Sequence, residues 1–162
     1  MSAIDSLLRK NRKYAAGFDE ASLSPIPVKQ LAVVACMDAR IETGRLLGLE
    51  EGQAHVIRNA GGIVTDDVVR SLLLSQRLLE TREIMLIQHT GCGMLGLEDD
   101  ELAEQVEKET GNRPPFEIGG FDDVEDSVRD SIARLKASPF IQDKAIRGFV
   151  YEVETGRLRE VE

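Results

Sequence analysis

The chain has no tryptophan, two cysteines and two histidines among its 162 residues, and its 20 lysines and arginines are outnumbered by 29 acids. Two cysteines cannot make the disulfide framework of a small secreted domain, so the fold must rest on a hydrophobic core and each thiol needs its own explanation. The net charge of −9 and pI near 4.8 exclude a surface built to neutralise phosphates, which removes nucleic acid as a partner and leaves no reason to dock on an anionic membrane. No stretch approaches the roughly 18 to 20 apolar residues that cross a bilayer, and the opening "MSAIDSLLRKNRKYAAGF" lacks the continuous apolar segment of a signal peptide. The expectation is a cytoplasmic protein that meets small molecules or other proteins.

What is present fits one compact domain, with 42% hydrophobic residues. "IDSLLRKNRKY" reads as an amphipathic helix with Ile4, Leu7 and Leu8 on one face, and "SPIP" (24–27) interrupts any continuation. Residues 1–28 are therefore expected to form an N-terminal helical arm, and 29–162 a single α/β domain. The runs "LAVVAC" (31–36), "AHVIRN" (54–59), "EIMLIQH" (83–89) and "IRGFVYEV" (146–153) are short and rich in aliphatic residues, as expected of strands covered on both faces. Helical patterns lie between them at 43–49, at 65–79 with Thr65 as N-cap, at 98–110 and at 122–138, and "VETGRLREV" reads as a turn with a short last strand. Alternating strands and helices predict a central, mostly parallel sheet of about four strands flanked by helices.

Chemistry-bearing residues gather where two of these strands end. "VVACMDARIE" (33–42) is an apolar run that stops on Cys36, then places an acid and a base at alternate positions, Asp38 and Arg40. "IQHTGCGM" (87–94) places His89 and Cys92 just past the end of another strand, in a loop that its glycines allow to turn tightly. Sites in open α/β sheets form at the carboxyl ends of strands, so Cys36, His89 and Cys92 can converge on one ion. Two thiolates and an imidazole suit zinc, and three protein ligands leave the fourth position that distinguishes catalytic from structural sites. Asp38 either takes that position or is held off it by Arg40. Buried packing explains either cysteine alone, but gives no reason for the acid and the base. A nucleophilic Cys92 with His89 as its base is the competing chemistry, although residues three apart in a tight loop converge more naturally on a shared ion. His55, inside an apolar strand, reads as a satisfied core residue.

"CMDAR" and "HTGCG", in that order and about 50 residues apart, resemble the two zinc motifs of β-class carbonic anhydrases, Cys-x-Asp-x-Arg and His-x-x-Cys. The likeness runs through the N-terminal arm, "RNAGG" (58–62) and the closing "GFVYEVETGRL", and it is to the small, compact subgroup of the family. The resemblance implies one Zn2+ per chain on Cys36, His89 and Cys92, with Asp38 and Arg40 as a catalytic dyad and Asp38 on the metal only in a closed, inactive state. It implies reversible hydration of carbon dioxide to bicarbonate, and a homodimer or higher even homo-oligomer. Gly61 and Gly62 are a candidate substrate loop, against the plainer reading of a strand-to-helix turn. Members inhibited by bicarbonate use a tryptophan in the regulatory pocket, so its absence here predicts that this site is missing. Hydrolysis of carbonyl sulfide or carbon disulfide at the same metal is the alternative, since the metal site does not select between these electrophilic carbons. A zinc-stabilised binding module without catalysis would leave Asp38 and Arg40 unexplained.

Overall fold

A computed structural model describes residues 2–19 and 22–162. Helix α1 (Ala3–Ala16) precedes a five-stranded sheet made of β1 (Leu31–Cys36), β2 (Ala54–Asn59), β3 (Glu83–His89), β4 (Ala145–Glu152) and β5 (Arg157–Val161). Between the strands lie α2 (Thr43–Leu47), α3 (Asp66–Leu79), α4 (Asp99–Thr110) and α5 (Val124–Ala137). The strand order is β2-β1-β3-β4-β5, parallel throughout except for β5, which returns antiparallel along β4. Four parallel strands and a short last strand are what the apolar runs predict.

Local chemistry sets the boundaries. Thr65 caps α3 by accepting from the Val68 N–H, with Asp66 and Asp67 in the first turn where the helix dipole favours acids. Asp123 caps α5 by accepting from the N–H groups of Glu125 and Asp126. One face of the sheet carries Ala32, Val34, Ile84, Leu86 and Ile146 against Val68 and Leu72 of α3 and Leu135 of α5. The other face packs Val33, Ala35 and Ile87 beneath α2 and the loop after it, through Leu46, Leu47 and Leu49.

One expectation is corrected. β2 is not covered on both faces: its burial alternates, and Val56 is 43% exposed, because β2 is an edge strand. Composition does not separate edge from centre when the outward residues are aliphatic. His55 is satisfied as expected, with Nδ1 2.7 Å from the Ser75 hydroxyl and Nε2 3.1 Å from the Pro25 carbonyl.

The order also fixes where a site can lie. From β1 the chain leaves toward β2, on one side; from β3 it leaves toward β4, on the other. This opposite departure opens a crevice at the carboxyl ends of β1 and β3, where Cys36 and His89 stand.

The floor of that crevice is set by "AGG" (60–62), a single 3-10 turn after β2. Gly62 has φ +65°, and a Cβ there would lie 2.7 Å from the Cys36 backbone nitrogen and 2.8 Å from the Ile87 carbonyl oxygen. Gly61 has φ +75°, but a Cβ there would meet the flexible Met94 side chain at 3.2 Å. Gly62→Ala should therefore cost more than the roughly 1–2 kcal/mol of left-handed strain alone, and Gly61→Ala about that strain. Urea unfolding of the two variants checks the order; equal losses would show that the approach to β1 and β3 is not tight.

Candidate metal centre

Each strand end delivers its residue for a backbone reason. The β1 ladder runs out at Cys36, paired with Asn59 of β2, and the Met37 N–H still donates to the Asn59 carbonyl at 2.8 Å. On the other side Ala35 pairs with Ile87, two residues before His89. Gly91, at φ +61°, turns the chain so that Cys92 comes back beside the other two. The donor atoms of Cys36, His89 and Cys92 all lie within 4.8 Å of one another, and all three residues are buried. Among the described residues this is the one group of three or more metal-ligating side chains brought together in this way.

The histidine is prepared for a cation. Its Nδ1 is 2.9 Å from the Thr90 carbonyl, which can only accept, so Nδ1 carries the proton and Nε2 presents a lone pair. That Nε2 is buried with no hydrogen-bond partner, and His89 is 1% exposed. A buried acceptor left unpaired costs about 1–3 kcal/mol unless something fills it. Two sulfurs and a nitrogen around a tetrahedral ion with bonds of about 2.0–2.3 Å stand roughly 3.5–3.8 Å apart, so closure from the widest separation allowed here, 4.8 Å, needs a contraction of about 1.0–1.3 Å shared between two side chains. The residues fit a thiophilic divalent cation.

Asp38 and Arg40 stand at the rim. Arg40 grips the carboxylate as a fork, Nε donating to Oδ1 at 2.9 Å and a terminal nitrogen to Oδ2 at 2.8 Å, while the Arg40 backbone N–H also donates to Oδ1 at 2.9 Å. The same terminal nitrogen donates to the Gly91 carbonyl at 2.9 Å, tying the dyad to the loop that carries Cys92. These bonds hold the Asp38 carboxyl well below the usual carboxylate range. Its Oδ2 lies 3.7 Å from His89 Nε2, beyond a hydrogen bond. The five predicted residues are thus assembled at one place. Gly61 and Gly62 are buried in the turn behind Cys36.

One contributor is not marked by any sequence pattern. Arg58, at the end of β2, donates from Nε to the Cys36 carbonyl at 3.0 Å and from a terminal nitrogen to the Asp38 carbonyl at 2.8 Å. The only signal was a cation at a strand end within "RNAGG".

The carbonic anhydrase family model matches residues 31–116, the segment that contains both motifs. The chain belongs to the β-carbonic anhydrase family. β-Carbonic anhydrase 1 of Mycobacterium tuberculosis is 49% identical over 162 residues, covering 99% of each chain. The crystal structure of carbonic anhydrase from Streptococcus mutans is matched at TM-score 0.93 and 42% identity, covering 100% of this chain and 99% of that one. A carbon disulfide hydrolase of Acidithiobacillus thiooxidans is 38% identical over 157 residues, covering 81% of this chain and 72% of that enzyme. The family, the fold and the α/β architecture therefore agree with the motifs.

The electrostatics of the family's site give a test. Burial pushes the Cys92 thiol up, and the neighbouring Cys36 and Asp38 push it further, against a backbone N–H of Met94 that pulls it down. A cation must displace that proton, so its affinity falls as the pH falls, by up to about tenfold per pH unit for each thiol that remains protonated in the free protein. Competition of the metal-free protein against a chromophoric chelator for Co2+ or Zn2+, between pH 8 and 6, should show this slope. Cys36→Ser, Cys92→Ser and His89→Ala should each weaken binding; a pH-independent affinity, or full affinity in all three variants, would exclude this ligand set.

Proposed function

We propose that this chain catalyses the reversible hydration of carbon dioxide to bicarbonate and a proton, at one Zn2+ held by Cys36, His89 and Cys92, with Asp38 and Arg40 as the acting dyad. The observation that supports it is the joint placement of a buried Cys-His-Cys group and an arginine-held carboxylate at the sheet's switch point, in a member of this family. Zinc, when bound, supplies a Lewis acid that brings the ionisation of water toward neutral pH. Two thiolates cancel its formal charge, so this donor set acidifies water less than three neutral imidazoles would, and an added hydrogen-bond acceptor that orients the reacting oxygen has work to do. Asp38 is that acceptor. Arg40 keeps the carboxylate ionised throughout the neutral range, with Oδ2 turned to the edge of the Cys-His-Cys group, where it can orient a hydrogen-bond donor that enters the open side. Arg40 also keeps the carboxylate from becoming a fourth ligand. The buried residues around the group, among them Ile41, shield the reacting carbon from bulk water.

Hydrolysis of carbon disulfide or carbonyl sulfide is the second reading, favoured by the 38% identity to a carbon disulfide hydrolase. The higher identity and nearly complete mutual coverage of the mycobacterial enzyme favour carbon dioxide. Stopped-flow CO2 hydration, compared with sulfide release from both sulfur substrates, decides by kcat/KM. Within the CO2 reading, Asp38→Ala and Arg40→Ala should both retain zinc and lose on the order of 10²–10³ in kcat, the loss expected when a group that orients the reacting oxygen is removed. Undiminished kcat in Arg40→Ala would assign the pair to the fold.

The arm supports a further part of the reading, a homodimer or larger even assembly in the cytoplasm. Ile4, Leu7 and Leu8 are 69, 61 and 52% exposed, α1 buries no residue, and Arg9, Lys10, Arg12 and Lys13 give it positive charge in a chain of −9. An apolar stripe on a basic helix is complementary to the acidic remainder of a second copy. Among the described residues no helix is long and apolar enough to cross a membrane. Deleting residues 1–20 should shift light scattering toward the monomer while zinc is retained; a stable, active full-length monomer would overturn the assembly.

A further inference from the structure

The carbonyls of Cys36, at the last rung of the β1–β2 ladder, and of Asp38, beyond it, both accept from the side chain of Arg58. Its Nε and one terminal nitrogen reach the two carbonyls at 3.0 and 2.8 Å. We propose that Arg58 is a positioning residue of the reaction, a clamp that fixes the direction of the chain between the proposed metal ligand Cys36 and Asp38, the carboxylate that orients the reacting oxygen. The inference rests on the reading of Asp38 given above.

The geometry favours a guanidinium. A planar fork presents donors in fixed relative directions, so two bonds to carbonyls two residues apart set the segment's orientation as well as its distance; an ammonium satisfies one of them as a point donor. The segment's other described backbone hydrogen bonds are the Met37 N–H to the Asn59 carbonyl at 2.8 Å, the Ile41 N–H to the Asp38 carbonyl at 3.0 Å and the Arg40 N–H to Asp38 Oδ1 at 2.9 Å. Ile41 is buried and anchors the far end, whereas Met37 is 65% exposed, so the backbone between Cys36 and Asp38 has little side-chain packing to hold it. Arg40 cannot perform the task, because its fork is spent on the Asp38 side chain and on Gly91. Two arginines therefore divide the work: Arg40 holds the carboxylate, and Arg58 holds the backbone from which that carboxylate projects. Cys36 is in addition fixed by the β1 pairing and by the turn at Gly62, so loosening the clamp moves Asp38 more than it moves the sulfur.

Arg58→Gln and Arg58→Lys test the proposal against wild type and Asp38→Ala, with three readouts: zinc per chain, kcat and KM for CO2, and amide hydrogen exchange over residues 37–41 in zinc-free and zinc-loaded protein. For Arg58→Gln the expected result is unchanged zinc, kcat lower by on the order of tenfold to a hundredfold, KM within about twofold, and exchange at Met37 and Ile41 faster by about tenfold with the β1 and β3 amides unaffected. Arg58→Lys should fall between the two, and decides the matter if the glutamine variant does not fold. Undiminished kcat, unchanged exchange over 37–41, or a loss of activity matched by loss of zinc would each overturn the clamp. Full activity in Asp38→Ala would instead remove the reading on which it rests.

Discussion

The parallel pairing of β1 with β3 is the constraint on which the site depends. Because Ala35 lies opposite Ile87, the two strands run out nearly level, and whatever follows them emerges side by side. A register shifted by one residue would turn Cys36 to the opposite face of the sheet. The register is held by burial: Val33, Val34, Ala35, Leu86 and Ile87 are fully buried, so a slip would move apolar side chains on both faces at once. The hydrophobic core is thus also the alignment device of the metal group. Gly62 adds the complementary condition, since only a residue without a Cβ lets the turn after β2 come this close to both strand ends.

Burial has a second consequence, which is electrostatic. Two thiols and an imidazole brought out of water at one point are unfavourable company without a cation: burial pushes the Cys92 thiol up, and His89 keeps an unpaired lone pair. The protein does not relieve this with a buried lysine or arginine. Its nearby cation, Arg40, is committed to Asp38 and the Gly91 carbonyl, with half of its side chain exposed. The group is consequently suited to a small, multiply charged, thiophilic ion, whose entry would favour deprotonated thiols.

Much of this was legible in the sequence. β1, β2 and β3 match the apolar runs residue for residue, because aliphatic runs of six or seven residues ended by polar or glycine-rich segments leave little freedom. The cap Thr65 marked a helix start for a chemical reason, and Cys36, Asp38, Arg40, His89 and Cys92, which the structure brings together, stood out because packing gives no reason for the acid and the base beside the thiols. What could not be read depends on tertiary neighbours. "AHVIRN" does not say that it is an edge, Gly62 does not say which backbone it must approach, and Arg58 looks like any strand-end cation until the carbonyls it meets are known. Glycine composition marks the turn; only the packing distinguishes Gly62 from Gly61.

If Cys36, His89 and Cys92 hold an ion as proposed, whether Asp38 would join them turns on a competition for its carboxylate. On one side stands Arg40 with three hydrogen bonds to Asp38, two from the fork and one from its own backbone, the fork further anchored on the Gly91 carbonyl. Charge-assisted, bidentate bonds of this kind are stronger than neutral ones, though screened where the guanidinium meets water. On the other side is the attraction of a divalent ion, weakened because two thiolates already neutralise its formal charge. A carboxylate that swung onto the ion would forfeit the fork and leave the guanidinium facing Gly91 alone. Weakening the ion's charge and strengthening the arginine's hold therefore act in the same direction, and both follow from residue choices within five positions of Cys36 and four of His89. On the proposed reading, the donor set that would make the metal a poorer acid would also let the aspartate stay off it and accept a hydrogen bond from what binds there.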